Sequence, residues 1–172
     1  VAGRSYVITA QRRVSAPALM GYGSALLTLA LGALLAQALA PVQFLWGVPV
    51  ALGLISVQVL RVNSAWTGAR VGWLFGVGYF GFAMSWIVEP FQIDPDRHAW
   101  MAPFALLFLA AGLALFWGLA FGLAARVSQR GLRLLALIAA WSLAEFARAY
   151  LLSGLPWAAF GQFWIDTPAA VL

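Results

Sequence analysis

Glu145 and Arg148 are the ionisable side chains that fall inside a long apolar run, Leu134 to Leu152, and they stand three positions apart. On a helix that spacing puts both on one face, close enough to pair. An ionisable group inside a membrane span is costly and is a functional candidate. The competing reading is an ion pair that fixes the helix, and the residues alone leave both open. Glu89, Asp94, Asp96, Arg97 and His98 gather in one gap, where carboxylates can do acid–base work. Nothing nearby in sequence orients them, so a hydrated loop is expected. Cys is absent, which excludes a thiolate nucleophile, a disulfide framework and a Cys metal site on this chain, and His98, the one histidine, cannot make a metal cluster alone. Neither a metal nor a cofactor is expected. Gly76-Val77-Gly78-Tyr79-Phe80-Gly81 matches G-x-G-x-x-G, but a dinucleotide site needs a strand before it and a helix opening after it. Here the glycines lie inside an apolar run, and helix packing is expected.

The elements that must position these residues follow from composition. The 172 residues are 64% hydrophobic and 9% charged, with a mean hydropathy of +0.92. A soluble domain needs more charge to cover its surface. The expected fold is all-α: a polytopic transmembrane helical bundle of about five spans plus an aromatic outer segment. The spans are drawn at Ala18–Leu39, Phe44–Leu60, Val71–Val88, Met101–Ala124 and Leu134–Leu152. Pro41, Pro90 and Ser153-Gly154 with Pro156 stop the first, third and fifth. Arg12 and Arg13 before an apolar stretch ending Ala38-Leu39-Ala40 imitate a signal peptide. The run is long enough to span, and Pro41 follows the apparent cleavage point, so an uncleaved first span is expected. Gly72 with Gly76, and Gly118 with Gly122, have the G-x-x-x-G spacing of close helix contacts. Trp46, Trp73, Trp86, Trp100 and Trp157 fall near predicted span ends, as an interfacial belt does, whereas Trp117 is expected inside the bundle.

Charge sets the orientation. All ten basic residues are Arg, and eight of them, Arg4, Arg12, Arg13, Arg61, Arg70, Arg126, Arg130 and Arg133, lie in alternate gaps. That is the positive-inside pattern, with the N-terminus cytoplasmic. The net charge of +5 is spread over these short gaps and not gathered on one face or in one tail. Nucleic acid is therefore not the expected partner; anionic lipid is. Residues 1–17 are read as a cytoplasmic segment, 18–152 as the membrane domain and 153–172 as a periplasmic or interfacial segment. The chain starts at Val1 and ends at Leu172 soon after Asp166-Thr167-Pro168 opens an apolar helix, so a truncated, front part of a longer protein is expected. Leu155-Pro156-Trp157, Phe160, Phe163 and Trp164 form an aromatic segment beyond the fifth span, either an interfacial anchor or the lining of a lipid or substrate entrance.

In order along the chain come Ala38-Leu39-Ala40-Pro41, the Gly-rich Gly72-Trp73-Leu74-Phe75-Gly76 through Ser85-Trp86-Ile87, Ala144-Glu145-Phe146-Ala147-Arg148, and Gly154-Leu155-Pro156-Trp157. Together they resemble the N-terminal membrane part of apolipoprotein N-acyltransferase, from about Ala18 to Leu172; Glu-x-x-Arg followed by Gly-x-Pro-Trp is the most specific part. The resemblance implies a bacterial inner-membrane acyltransferase. Such enzymes move an acyl chain from a phospholipid donor to the α-amino group of the diacylglyceryl-cysteine of an apolipoprotein. It also implies a periplasmic nitrilase-like domain with a Glu-Lys-Cys triad and a thioester acyl-enzyme. This chain has no Lys and no Cys, so no catalytic residue can be placed on it, and alone it is expected to be inactive. Leu155 also departs from the Phe expected in many relatives before the Pro-Trp pair. What remains for this stretch is the membrane platform, with Glu145, Arg148, Pro156, Trp157 and Phe160 at the entrance. The reading from a different class is a piece of a transporter or channel. That reading needs internal repeats and ionisable groups near the bilayer midplane, whereas Glu145 and Arg148 lie toward one end of their run.

Overall fold

A computed structural model describes residues 21–151 and 157–164. Within them the elements are helical and no strand occurs: α1 Tyr22–Ala36, α2 Gly47–Arg61, α3 Ala65–Ala83, the short α4 Pro95–His98, α5 Ala102–Ala124 and α6 Arg130–Tyr150. Tighter 3-10 turns cover Ser85–Gln92, Ala99–Met101 and Phe160–Trp164. Arg4, Arg12, Arg13, the 153–156 part of the entrance, including Pro156, and the run from Ile165 lie outside the described residues.

The helix ends correct the expected spans. α3 starts at Ala65, six positions before the expected Val71, because Ser64 caps it. The Ser64 hydroxyl accepts from the Thr67 backbone N–H at 3.1 Å, satisfying one of the donors a helix start leaves open. Arg70 therefore lies within α3 and not in a loop, and Trp73 sits mid-helix, where its indole N–H donates to the Ala111 carbonyl at 3.1 Å. Trp73 is thus a packing residue and not part of an interfacial belt. At the other end α3 stops at Ala83, and the chain bends by 45° into Ser85–Gln92. Pro90 explains why that stretch does not continue as α-helix, since its ring would meet the carbonyl four residues back. α6 likewise starts at Arg130, so Arg130 and Arg133 are helical.

One described stretch, Pro95–Ala124, is long and apolar enough to cross a membrane, and α3 with the following 3-10 turn qualifies as a second if the bent pair is one span. α1 and α2 have 15 residues each, roughly 22 Å at the α-helical rise, against a hydrocarbon core of about 30 Å. α6 is long enough but carries Arg130, Arg133, Glu145 and Arg148. The structure therefore has the expected helices, while the described residues do not by themselves supply five apolar membrane-length spans.

α3 is the centre of the bundle, with α5 against one face and α1 against another. Both contacts run through glycine. A Cβ on Gly72 would meet Phe121 and the Trp117 carbonyl, and one on Gly76 would meet Ala114. From the other side Gly118 and Gly122 abut Ala69 and Ala65. The two G-x-x-x-G spacings thus face each other within one chain. Gly32 of α1 fits against the Phe75 carbonyl, and Gly78 of α3 against the Leu29 carbonyl. The glycines of the G-x-G-x-x-G string are therefore divided: Gly76 serves the α5 contact and Gly78 the α1 contact.

α6 buries a stripe of Arg133, Leu137, Trp141, Ala144 and Arg148, spaced by three or four residues as one helix face requires. At its start Arg133 acts as a clasp on α2. Its Nη1 donates to the carbonyls of Val62 (2.9 Å) and Val59 (3.2 Å), and its Nε donates to the Val127 carbonyl (2.8 Å). A helix C-terminus leaves carbonyls unsatisfied and carries partial negative charge, and the guanidinium supplies both remedies. Arg133→Gln is expected to destabilise the protein by about 2 kcal/mol. Arg133→Lys should recover only part of this, because one ammonium cannot replace a fork of donors. Unfolding followed by circular dichroism in detergent measures both, and an unchanged midpoint for Arg133→Gln would remove the clasp.

Candidate functional site

Helix periodicity brings Trp141, Glu145 and Arg148 of α6 to the same side as Phe75, Tyr79 and Phe80 of α3 and Trp117 of α5. Glu145 and Arg148 pair as their spacing implies, with Arg148 Nη2 2.7 Å from Glu145 Oε2. Arg148 is 1% exposed and the Glu145 side chain 16%. The other carboxylate oxygen, Oε1, accepts from the Trp117 indole N–H at 2.7 Å. Arg148 Nη1 then donates to the Trp157 carbonyl at 2.8 Å, and its guanidinium carbon lies 5.3 Å from the centre of the Phe80 ring. The charge of each partner is thus met by the other and by fixed donors and acceptors, as a buried pair requires.

A second tether lies beside the first. The Tyr79 hydroxyl donates to the Ala158 carbonyl at 2.8 Å. Ala158 is buried, with φ of 56°. A left-handed conformation costs a non-glycine residue about 1–2 kcal/mol, and it persists where surrounding contacts fix it. Here two adjacent carbonyls, of Trp157 and Ala158, are held by Arg148 and Tyr79. Phe160 continues inward, its ring 5.1 Å from Trp141 and 5.6 Å from Trp117, while Tyr79 stacks on Trp117 at 4.9 Å. Trp157 turns the other way and stacks on Trp86 at 4.6 Å.

A groove of about 680 Å³ runs along this assembly, between α2 and α6, lined by Ser56, Leu137, Ile138, Trp141, Glu145 and Phe160 among others. Its walls are apolar apart from the edge of the ion pair and two serines. The indole N–H of Trp141 is buried there with no hydrogen-bond partner among the described residues. The groove has the dimensions of a small-ligand site and the polarity of a lipid chain. Of the expected entrance residues, Glu145, Arg148 and Phe160 therefore meet at one groove. Trp157 is tied to the same group through its backbone, with its ring elsewhere, and Pro156 lies outside the described residues. The gap holding Glu89, Asp94, Asp96, Arg97 and His98 is exposed and takes no part.

Sequence reasoning missed Tyr79 and Trp141 and did not connect Trp117 to Glu145. A signal for the last existed: an indole N–H in mid-run needs an acceptor, and Glu145 is the one carboxylate inside a run. No signal could have found Tyr79, whose partner is a backbone carbonyl.

Comparison with known proteins identifies the lineage. The model of the apolipoprotein N-acyltransferase N-terminal domain matches residues 31–172. A Caulobacter vibrioides protein is 46% identical over 94 residues, covering 54% of this chain and 18% of its own length. One from Rhizobium leguminosarum is 35% identical over 158 residues, 86% of this chain and 30% of its own, and one from Rhodopseudomonas palustris is 38% identical over 149 residues, 82% and 27%. All three are named apolipoprotein N-acyltransferase, and the chain spans less than a third of their lengths. The chain belongs to the apolipoprotein N-acyltransferase family, as its N-terminal domain.

Proposed function

We propose that this chain is the membrane platform of a bacterial lipoprotein N-acyltransferase, and that the groove beside Glu145 and Arg148 admits its lipids from the side. In this reading α1, α2, α3, α5 and α6 are five spans of the cytoplasmic membrane. Residues 1–17 are cytoplasmic, 18–152 form the membrane domain, and 153–172 lie on the periplasmic side. The donor is a phospholipid and the acceptor a diacylated apolipoprotein, so both substrates carry acyl chains and both reach the reaction from the bilayer. The thiolate that attacks the donor ester belongs to a triad outside this chain, which has neither Cys nor Lys. This stretch supplies the walls. Glu145 and Arg148 hold the segment at the Trp157 carbonyl, and Phe160 closes one side of the groove; Pro156 and Trp157 belong to the same entrance segment in sequence.

The observation that carries the proposal is the apolar groove of about 680 Å³ set against the buried ion pair. The test fills it. Ile138 lines the groove and is 62% exposed, so a larger side chain there blocks the space without entering the core. In the full-length protein Ile138→Trp is expected to lower acyl transfer from phospholipid to a diacylated lipopeptide by roughly tenfold or more, consistent with misplacing substrate, with the unfolding midpoint unchanged. Leu135→Trp, on the same helix and 62% exposed, is the control. Equal activity in the two variants would place the lipid path elsewhere.

A further inference from the structure

A second groove lies on the α3–α5 face, and it contains a cation with no ion-pair partner among the described residues. Trp66, Arg70 and Trp73 follow one face of α3, and Leu115, Gly118 and Leu119 follow one face of α5; the space between them is about 420 Å³. Gly118 forms its floor, where a Cβ would lie 3.2 Å from the Ala69 carbonyl. Trp66, Leu115 and Leu119 are strongly exposed, so the groove opens outward. Arg70 is its one charged residue, half-buried in the second turn of α3. No hydrogen bond or ion pair to Arg70 occurs among the described residues. The described carboxylates, Glu89, Asp94, Asp96 and Glu145, all belong to the opposite end of the bundle, while Arg61, Arg126, Arg130 and Arg133 share the end of Arg70. No carboxylate among the described residues is therefore placed to pair with Arg70.

We infer that this groove holds one anionic phospholipid of the cytoplasmic leaflet, its phosphate at Arg70 and an acyl chain over Gly118 between Trp73 and Leu119. A cation at one end of an apolar slot matches a molecule with one charged end and one apolar tail. A half-buried guanidinium beside two tryptophans and two leucines offers a planar fork of donors, and a lipid phosphate pairs with it bidentately. This lipid is distinct from the substrates, which the preceding section assigns to the α2–α6 groove. The inference rests on the membrane orientation proposed there.

The test titrates the full-length protein in neutral detergent with dioleoylphosphatidylglycerol and, separately, with dioleoylphosphatidylcholine, counting bound lipids by native mass spectrometry. The expected result is tight retention of a first phosphatidylglycerol, weakened roughly five- to tenfold by Arg70→Gln and largely kept by Arg70→Lys. Phosphatidylcholine binding should not respond. Arg126→Gln, exposed at the same end, should leave the first lipid in place. Leu115→Trp fills the slot from its open side with Arg70 intact and should also displace the lipid, so the inference is still tested if Arg70→Gln does not fold. Unchanged phosphatidylglycerol affinity in Arg70→Gln, or in Leu115→Trp, overturns it. So does competition by millimolar inorganic phosphate, which would mean a site for a free anion. Orientation is read independently with single cysteines at Gln92 and Ser128, treated with an impermeant thiol reagent on spheroplasts. Labelling at Ser128 but not at Gln92 would overturn the leaflet assignment and the membrane orientation together, whereas loss of the lipid effect with correct labelling overturns the lipid site alone.

Discussion

Arg148→Gln is expected to destabilise the full-length protein by about 3–5 kcal/mol, because it leaves Glu145 charged and without its cation. Among the described residues Glu145 would keep the Trp117 N–H on Oε1, and the Trp157 carbonyl would lose the guanidinium that now binds it at 2.8 Å. Glu145→Gln leaves the opposite charge, a guanidinium 1% exposed, facing a neutral amide that can still accept from it, so its cost should be smaller. The double variant removes both charges and should cost clearly less than the two single effects added. Thermal unfolding in detergent across the four proteins measures the coupling; additive effects would mean that the pair is not a unit. Acyl transfer gives the second readout. If the pair acts by holding Trp157 and Ala158, activity should fall in step with stability. Full stability with no activity in Glu145→Gln would give Glu145 a direct role with substrate.

The second large effect is expected from two of the smallest possible substitutions. Gly32→Ala and Gly78→Ala each place a methyl group on a backbone carbonyl of the neighbouring helix, Phe75 and Leu29 respectively. Backbone cannot rotate away as a side chain can, so α1 and α3 must separate. The cost should be about 1–3 kcal/mol or more each, against the slight gain that Gly→Ala brings to an open helix site. Gly81→Ala and Gly53→Ala supply that contrast, since nothing lies within 4 Å of a Cβ at either position. All four variants make the same chemical change, so opposite signs in unfolding measurements would isolate helix approach as the cause. Similar midpoints in all four would show that α1 is not held by close packing.

Apolar run length makes the helices legible in the sequence, because it follows from burial along the chain. Helix ends were less so. Ser64 is an ordinary capping residue, but it precedes Arg70, and a charge six residues into the helix reads as a loop. Glu145 and Arg148 were legible as a pair because three positions on a helix fix their proximity. Arg133 was read only as a positive charge at a border; its work on the end of α2 depends on two elements more than 70 positions apart meeting. The same limit hid Tyr79. Its partner, Ala158, is 79 positions away and reaches it only because the chain folds back after α6.

The bond between Trp117 and Glu145 spans 28 positions, and this separation has a consequence for biosynthesis. Ribosomes add about 5–20 residues per second, so Trp117 emerges roughly 1–6 s before its acceptor. During that interval the indole N–H of α5 has no Glu145 to receive it. A buried indole N–H without an acceptor is costly, so the newborn helix has reason to keep Trp117 at a polar surface until α6 arrives. Arg148 follows Glu145 within a second, and the carbonyls of Trp157 and Ala158 follow both. The members of the polar network thus leave the ribosome in chain order, donor first and tether last, and the network is complete only after Ala158 has followed.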